Sequence, residues 1–148
     1  MKRLIPLLLW LFSLSQNANG AENPEALVKS FQTDYLSWNN YAIKIDSNHE
    51  PIKSMELIGE SYKKLLIKYT LPEFKGEPVA YSTEPSHDPH NERIISTQLN
   101  GNSATIRTEL LHSAYYTPVY EYHLINKDGR WYLTQVYLID SDGQYPGL

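Results

Sequence analysis

Between residues 119 and 140 the chain reads VYEYHLINKDGRWYLTQVYLID. Two runs rich in Tyr, Val, Ile, Leu and Trp flank Asp128-Gly129, a dipeptide that accepts the positive φ angles of a two-residue hairpin turn. The segment is therefore expected to form an antiparallel hairpin. Strict alternation puts Trp131, Leu133, Gln135, Tyr137 and Ile139 on one face of its second strand, and Tyr132, Thr134, Val136, Leu138 and Asp140 on the other. Both faces carry bulk, so this strand belongs inside a sheet, with helices on one side and further cover or a partner on the other.

The amino terminus limits where such a domain can work. Lys2-Arg3 precedes an apolar run over residues 4–14, and Ala18-Asn19-Gly20 supplies the small residues of a cleavage site. This pattern is that of a secretory signal peptide over residues 1–20, cleaved between Gly20 and Ala21. The run falls short of the roughly 20 residues that span a bilayer, so the mature form is expected to carry no membrane span and to be exported. Residues 21–148 then make one domain by length. The whole chain has 13 basic and 17 acidic residues, a net charge of −4, and loss of Lys2 and Arg3 with the leader takes it to −6. An acidic surface argues against nucleic acid and suits a basic partner, or simply solubility. With no Cys, an exported chain has no disulfide staple and relies on packing alone.

Asn23-Pro24-Glu25 reads as a helix start: a capping side chain, Pro in the first helical position, then an acid at the positive end of the dipole. Leu27, Phe31, Tyr35, Trp38, Ala42 and Ile45 follow at steps of three or four, predicting a helix of about six turns from 24 to near 45. Pro51 and Ser54 open a second helix with the stripe Met55, Ile58, Tyr62, Leu65 or Leu66, and Tyr69, while Lys63, Lys64 and Lys68 decorate its outer face. Residues 71–91 hold four prolines, which leaves mostly loop and a short edge strand near 79–82. Strands are expected over 92–99 and 103–112 around the Asn100-Gly101-Asn102 turn. Together with the hairpin they make a meander of at least four antiparallel strands. Two helices before a meander give an α+β layer architecture.

Chemistry is less marked than fold. His87, Asp88, His90 and Glu92 fall within six residues, but across a Pro-containing loop rather than on a rigid framework, so a loop leading into the strand is the expectation and no metal site is assigned. His112, Tyr115, Tyr116, Tyr122, His123 and Asp140 are the candidates for lining a pocket, with Tyr122 and His123 on opposite faces. No acid is placed mid-strand among inward apolar residues, so no catalytic residue and no cofactor are assigned. Tyrosine is the more informative residue, with 12 in the chain and four among residues 115–122. Its large area and polar tip serve interfaces and cores alike. Tyr35, Tyr62, Tyr69 and Tyr137 suit the core, whereas Tyr115, Tyr116 and Tyr120 suit either role.

The layout of helices, then a strongly bent antiparallel sheet closing on a Lys-Asp-Gly-Arg-Trp hairpin, resembles the cone-shaped NTF2-like superfamily. A closer likeness covers about the last 59 residues. It is carried by Asn91-Glu92-Arg93-Ile94-Ile95-Ser96, Asn102-Ser103-Ala104-Thr105-Ile106, Tyr120-Glu121-Tyr122-His123-Leu124 and Asp128-Gly129-Arg130-Trp131, which look like the NTF2 fold immunity proteins of bacterial toxin systems. The resemblance implies an NTF2-like cone with two to three amino-terminal helices on the sheet. It also implies a non-enzymatic inhibitor that binds a cognate toxin protein encoded nearby, met in the periplasm because of the signal peptide. Aromatic anchors beside acids make Glu109, Tyr115, Tyr116, Tyr120 and Glu121, on the outer surface of the sheet, the candidate partner-binding residues. A homodimer through the open sheet face is compatible with that fold. The alternative is a periplasmic NTF2-like small-molecule-binding protein or enzyme using the cone pocket.

Overall fold

The computed structural model describes residues 23–77, 80–111 and 116–148; the expected signal peptide lies outside them. Helix α1 (Pro24–Asn48) is opened by the Asn23 side chain, which accepts a 2.9 Å hydrogen bond from the Glu25 amide. Such a cap contributes about 1 kcal/mol. The expected stripe is buried through Leu27, Phe31, Tyr35, Trp38 and Ala42, with Ile45 packed at its end. After a two-residue link comes α2 (Pro51–Tyr69). Trp38 joins the two helices, its ring 4.7 Å from that of Tyr62 and its Nε1 donating to Ser61 Oγ at 3.1 Å. The expected stripe of α2 needs one correction. Met55 is 76% exposed, and Ser54 is buried in its place, its hydroxyl 3.3 Å from the Ile45 and His49 carbonyls that close α1. Ser54, Ile58, Tyr62 and Leu66 follow at steps of four, so the buried stripe is in register with Ser54 and Met55 falls one residue off it.

The sheet is a five-stranded antiparallel meander in chain order: β1 (Glu92–Asn100), β2 (Ser103–Leu110), β3 (Val119–Lys127), β4 (Arg130–Ile139) and β5 (Gln144–Pro146). Together with the helices it forms an α+β arrangement in the manner of an NTF2-like cone, with the sheet left open. Asp128 and Gly129 turn β3 into β4 with φ of 54° and 82°, the positive pair that a two-residue hairpin of this twist requires. The expected edge strand near 79–82 is absent from its described part, residues 80–82, which run as irregular chain; Val79 lies outside the described residues. Asn39 of α1 holds that chain in place, donating to the Ser82 carbonyl at 2.9 Å and accepting from its amide at 3.1 Å. No described helix is long and apolar enough to cross a membrane.

Strict alternation fails in β4. His123 pairs with Gln135 but the next residue, Leu124, pairs with Leu133, so Thr134 is an extra residue in a β-bulge, its hydroxyl donating to the His123 carbonyl at 3.1 Å. Trp131 and Leu133 face the core before the bulge, and Val136 and Leu138 face it afterwards. Tyr137, expected on the face of Trp131, is turned outward with its ring 5.0 Å from that of His123, while Gln135, expected there too, accepts through Oε1 from the Val136 and Leu148 amides at 2.9 and 3.0 Å. A bulge switches which parity of residue faces inward and bends the strand. Here the bend turns Val136 and Leu138 under the helices.

Candidate functional site

Inward residues of β1, β2 and β3 meet α1 in a polar cluster inside an otherwise apolar core. The cluster starts in the loop before β1. The Asp88 carbonyl accepts from the amides of Asn91 and Glu92 at 3.1 and 2.8 Å, and its carboxylate accepts from the His90 amide and the Asn91 side chain at 2.9 and 2.7 Å. This turn directs His90 to solvent and sends His87 and Glu92 inward, where each is 2% exposed. The four-residue cluster therefore divides: Asp88, itself 9% exposed, shapes the turn and His90 reaches solvent, while His87 and Glu92 make up the half that enters the core. Among the described residues no three His, Cys, Asp or Glu side chains are grouped to hold a metal.

Glu92 is the hub. Its Oε1 accepts from the Tyr122 hydroxyl and the Thr108 hydroxyl, both at 2.6 Å, and its Oε2 lies 3.3 Å from His87 Nδ1. The Tyr122 oxygen is also 2.8 Å from His87 Nδ1 and 3.4 Å from Gln32 Nε2, which reaches in from α1. Burial pushes the Glu92 carboxyl up, but the electrostatic pull of His87 and the hydrogen bonds donated by His87, Thr108 and Tyr122 outweigh it, leaving the group below its ordinary value. Burial, followed by the Glu92 charge and hydrogen bond, drives the Tyr122 phenol well above its ordinary value. An ionised carboxylate is thus held in the core by three converging side chains. Gln32 Oε1 is the one buried side-chain polar atom without a hydrogen-bond partner among the described residues.

His87 also forms part of a wall. A cavity of about 240 Å³ opens beside it, bounded by Tyr35, Tyr62, Tyr120, Val136 and Leu138, with Glu77 and Ser86 among its polar members. The His87 ring stands edge-on to Tyr120 at 4.6 Å and to Tyr35 at 4.8 Å. Tyr120 was expected on the outer surface, and this is a correction: it is 9% exposed on the inner face. Neighbouring strand residues point to opposite faces, so Tyr120 cannot share a surface with Glu121.

The outer face of the same sheet is built differently. Arg93 donates to Glu109 Oε2 at 2.8 and 3.1 Å across β1 and β2. Arg107 of β2 donates to Glu121 Oε2 at 2.7 Å, and His123 Nε2 lies 2.6 Å from Glu121 Oε1. Burial raises the Glu121 carboxyl, and Arg107 and His123 more than reverse that, so it too lies below its ordinary value. Val119, Tyr132, Tyr137 and Ile139 are half-buried around these pairs, with the Tyr137 ring 5.0 Å from that of His123. Of the expected partner-binding residues, Glu109 and Glu121 therefore share this face. Tyr116 is 65% exposed in the β2 to β3 connection, and Tyr115 lies outside the described residues, as does the pocket candidate His112. Asp140 caps the β4 to β5 turn, accepting from the amides of Asp142 and Gly143.

The sequence reading missed the buried half of the His87 to Glu92 segment. Its signal was present: Thr108 alternates with Ala104, Ile106 and Leu110 on the inward face of β2, a hydroxyl that calls for a buried partner. Fold and site together define a two-layer α+β domain with a charged polar cluster behind a tyrosine-lined cavity. Compared with family models, curated proteins and solved structures, the chain matches none of them.

Proposed function

We propose that this chain is an exported, non-enzymatic immunity protein that binds and neutralises a bacterial toxin in the periplasm, using the outer face of its sheet. The observation that carries this reading is the mixed character of that face. Half-buried Val119, Tyr137 and Ile139 lie beside the Arg93–Glu109 and Arg107–Glu121–His123 groups, and both helices pack on the opposite side. Aromatic and aliphatic anchors within a polar surround are the usual composition of a protein-binding surface. The likeness of residues 90–148 to NTF2 fold immunity proteins supports the same choice, and the acidic mature chain suits a toxin with a basic surface. The Glu92 cluster weighs against catalysis by that carboxylate, because all its contacts are with buried side chains of its own domain. Tyr137 takes the anchoring role that Tyr120, on the inner face, cannot have.

The test uses the protein encoded beside this chain as the candidate toxin. Tyr137→Ala is expected to weaken the complex by about 2 kcal/mol or more, mainly through faster dissociation. Replacing Glu109 and Glu121 together by Gln is expected to slow association and flatten its salt dependence. Normal binding by both variants, with unchanged melting curves, would remove the outer face from the proposal.

A further inference from the structure

The two nitrogens of His87 have different surroundings. Tyr122 has one hydroxyl proton, and at 2.6 Å it is directed to Glu92 Oε1. His87 Nδ1 then faces two acceptors, the Tyr122 oxygen at 2.8 Å and Glu92 Oε2 at 3.3 Å, so Nδ1 carries the ring proton. Nε2 has no hydrogen-bond partner among the described residues, and the ring it belongs to lines the 240 Å³ cavity. In the neutral ring that nitrogen is an acceptor. Glu92 thus fixes both the tautomer and the orientation of a base whose ring lines the cavity.

Cavity size and lining narrow the occupant. Drug-sized sites occupy about 300 to 1,000 Å³, and a dry cavity of about 150 Å³ takes benzene, so the volume suits one ring with a small substituent. The walls are mainly rings and aliphatic groups: Tyr35, Tyr62 and Tyr120 face Val136 and Leu138. Glu77, at the same cavity, disfavours an anion.

We propose that this cavity binds a small neutral phenol, whose hydroxyl donates to His87 Nε2 and whose ring lies among Tyr35, Tyr62 and Tyr120. This site lies on the opposite side of the sheet from the partner-binding face and does not depend on it. The nitrogen-15-labelled chain is titrated with p-cresol, and with toluene as the same ring without the hydroxyl. p-Cresol is expected to bind about fivefold or more tightly than toluene, the worth of one hydrogen bond, and to move the His87 Nε2 resonance. Leu138→Trp, which fills the cavity and leaves the polar cluster in place, is expected to abolish binding of both. His87→Phe is expected to erase the preference for p-cresol; if that variant does not fold, the Nε2 shift in the unaltered chain decides. An unmoved Nε2 resonance, or p-cresol binding that survives Leu138→Trp, overturns the proposal.

Discussion

The sheet carries a Glu–His pair on each face, and the two pairs behave differently for reasons of surroundings rather than residue type. On the outer face Glu121 and His123 meet at 2.6 Å, with Arg107 as a third member. Inside, Glu92 and His87 are farther apart at 3.3 Å, yet both are essentially without solvent. Distance alone would rank the outer pair as the stronger. Water and salt screen that pair, and its members keep hydration when separated. Inside, Glu92, Thr108 and Tyr122 are buried, so a group that loses its partner there keeps its desolvation cost. The inner face therefore commits the Glu92 carboxylate and the groups that bond it to the fold, leaving only the cavity side of His87 for a ligand, and the outer face keeps its own pairs available for a partner.

Breaking the inner arrangement gives the largest expected effect. Glu92→Gln keeps the volume but removes the charge that faces His87, Thr108 and Tyr122, and a cost of about 3 to 5 kcal/mol is expected from urea unfolding. Trp131→Ala should fall in the same range, about 3 to 5 kcal/mol, because Trp131 is 7% exposed at the hairpin end of the core. For a domain whose whole stability is about 5 to 15 kcal/mol, either loss is severe. Thr108→Val removes one 2.6 Å hydrogen bond to the carboxylate and keeps the shape, so about 1.5 to 3 kcal/mol is expected by the same assay. Glu121→Gln is the outer counterpart. With Arg107 45% exposed and His123 35% exposed, it should cost about 1 kcal/mol or less, and the cost should shrink further in high salt. A Glu121→Gln loss as large as that of Glu92→Gln would remove the distinction between the faces.

The faces also differ in how far they could be read in advance. The helix stripe from Leu27 to Ala42 and the Asp128-Gly129 turn were legible because local spacing and turn chemistry decide them. Met55 was misplaced because Ser54 is buried by bonding to the end of α1, a tertiary contact that apolar periodicity does not register. Alternation puts Val136 and Leu138 on the face opposite Trp131, because a one-residue bulge at Thr134 leaves no mark in an alternating pattern. Tyr120 could have been placed from its neighbour, since Glu121 was already assigned to the outer face. The Glu92 cluster draws on a loop, three strands and α1, and its members lie up to 90 residues apart in the chain. Such a site becomes legible only once the sheet register is known.

The measurement that tests the commitment of the inner face most directly is the urea midpoint of the unaltered chain and of Glu92→Gln across the acid range. The Glu92 carboxyl is depressed in the folded state. Its contribution is therefore fully present above the unfolded value of about 4.3 and is lost as pH falls through the lower folded value. The other acids titrate in both proteins and cancel in the comparison. The gap between the two midpoints is expected to be widest near neutral pH and to close steadily below about pH 4.3. Two curves that coincide at neutral pH, or that stay parallel into acid, would contradict an ionised Glu92 at the centre of the fold.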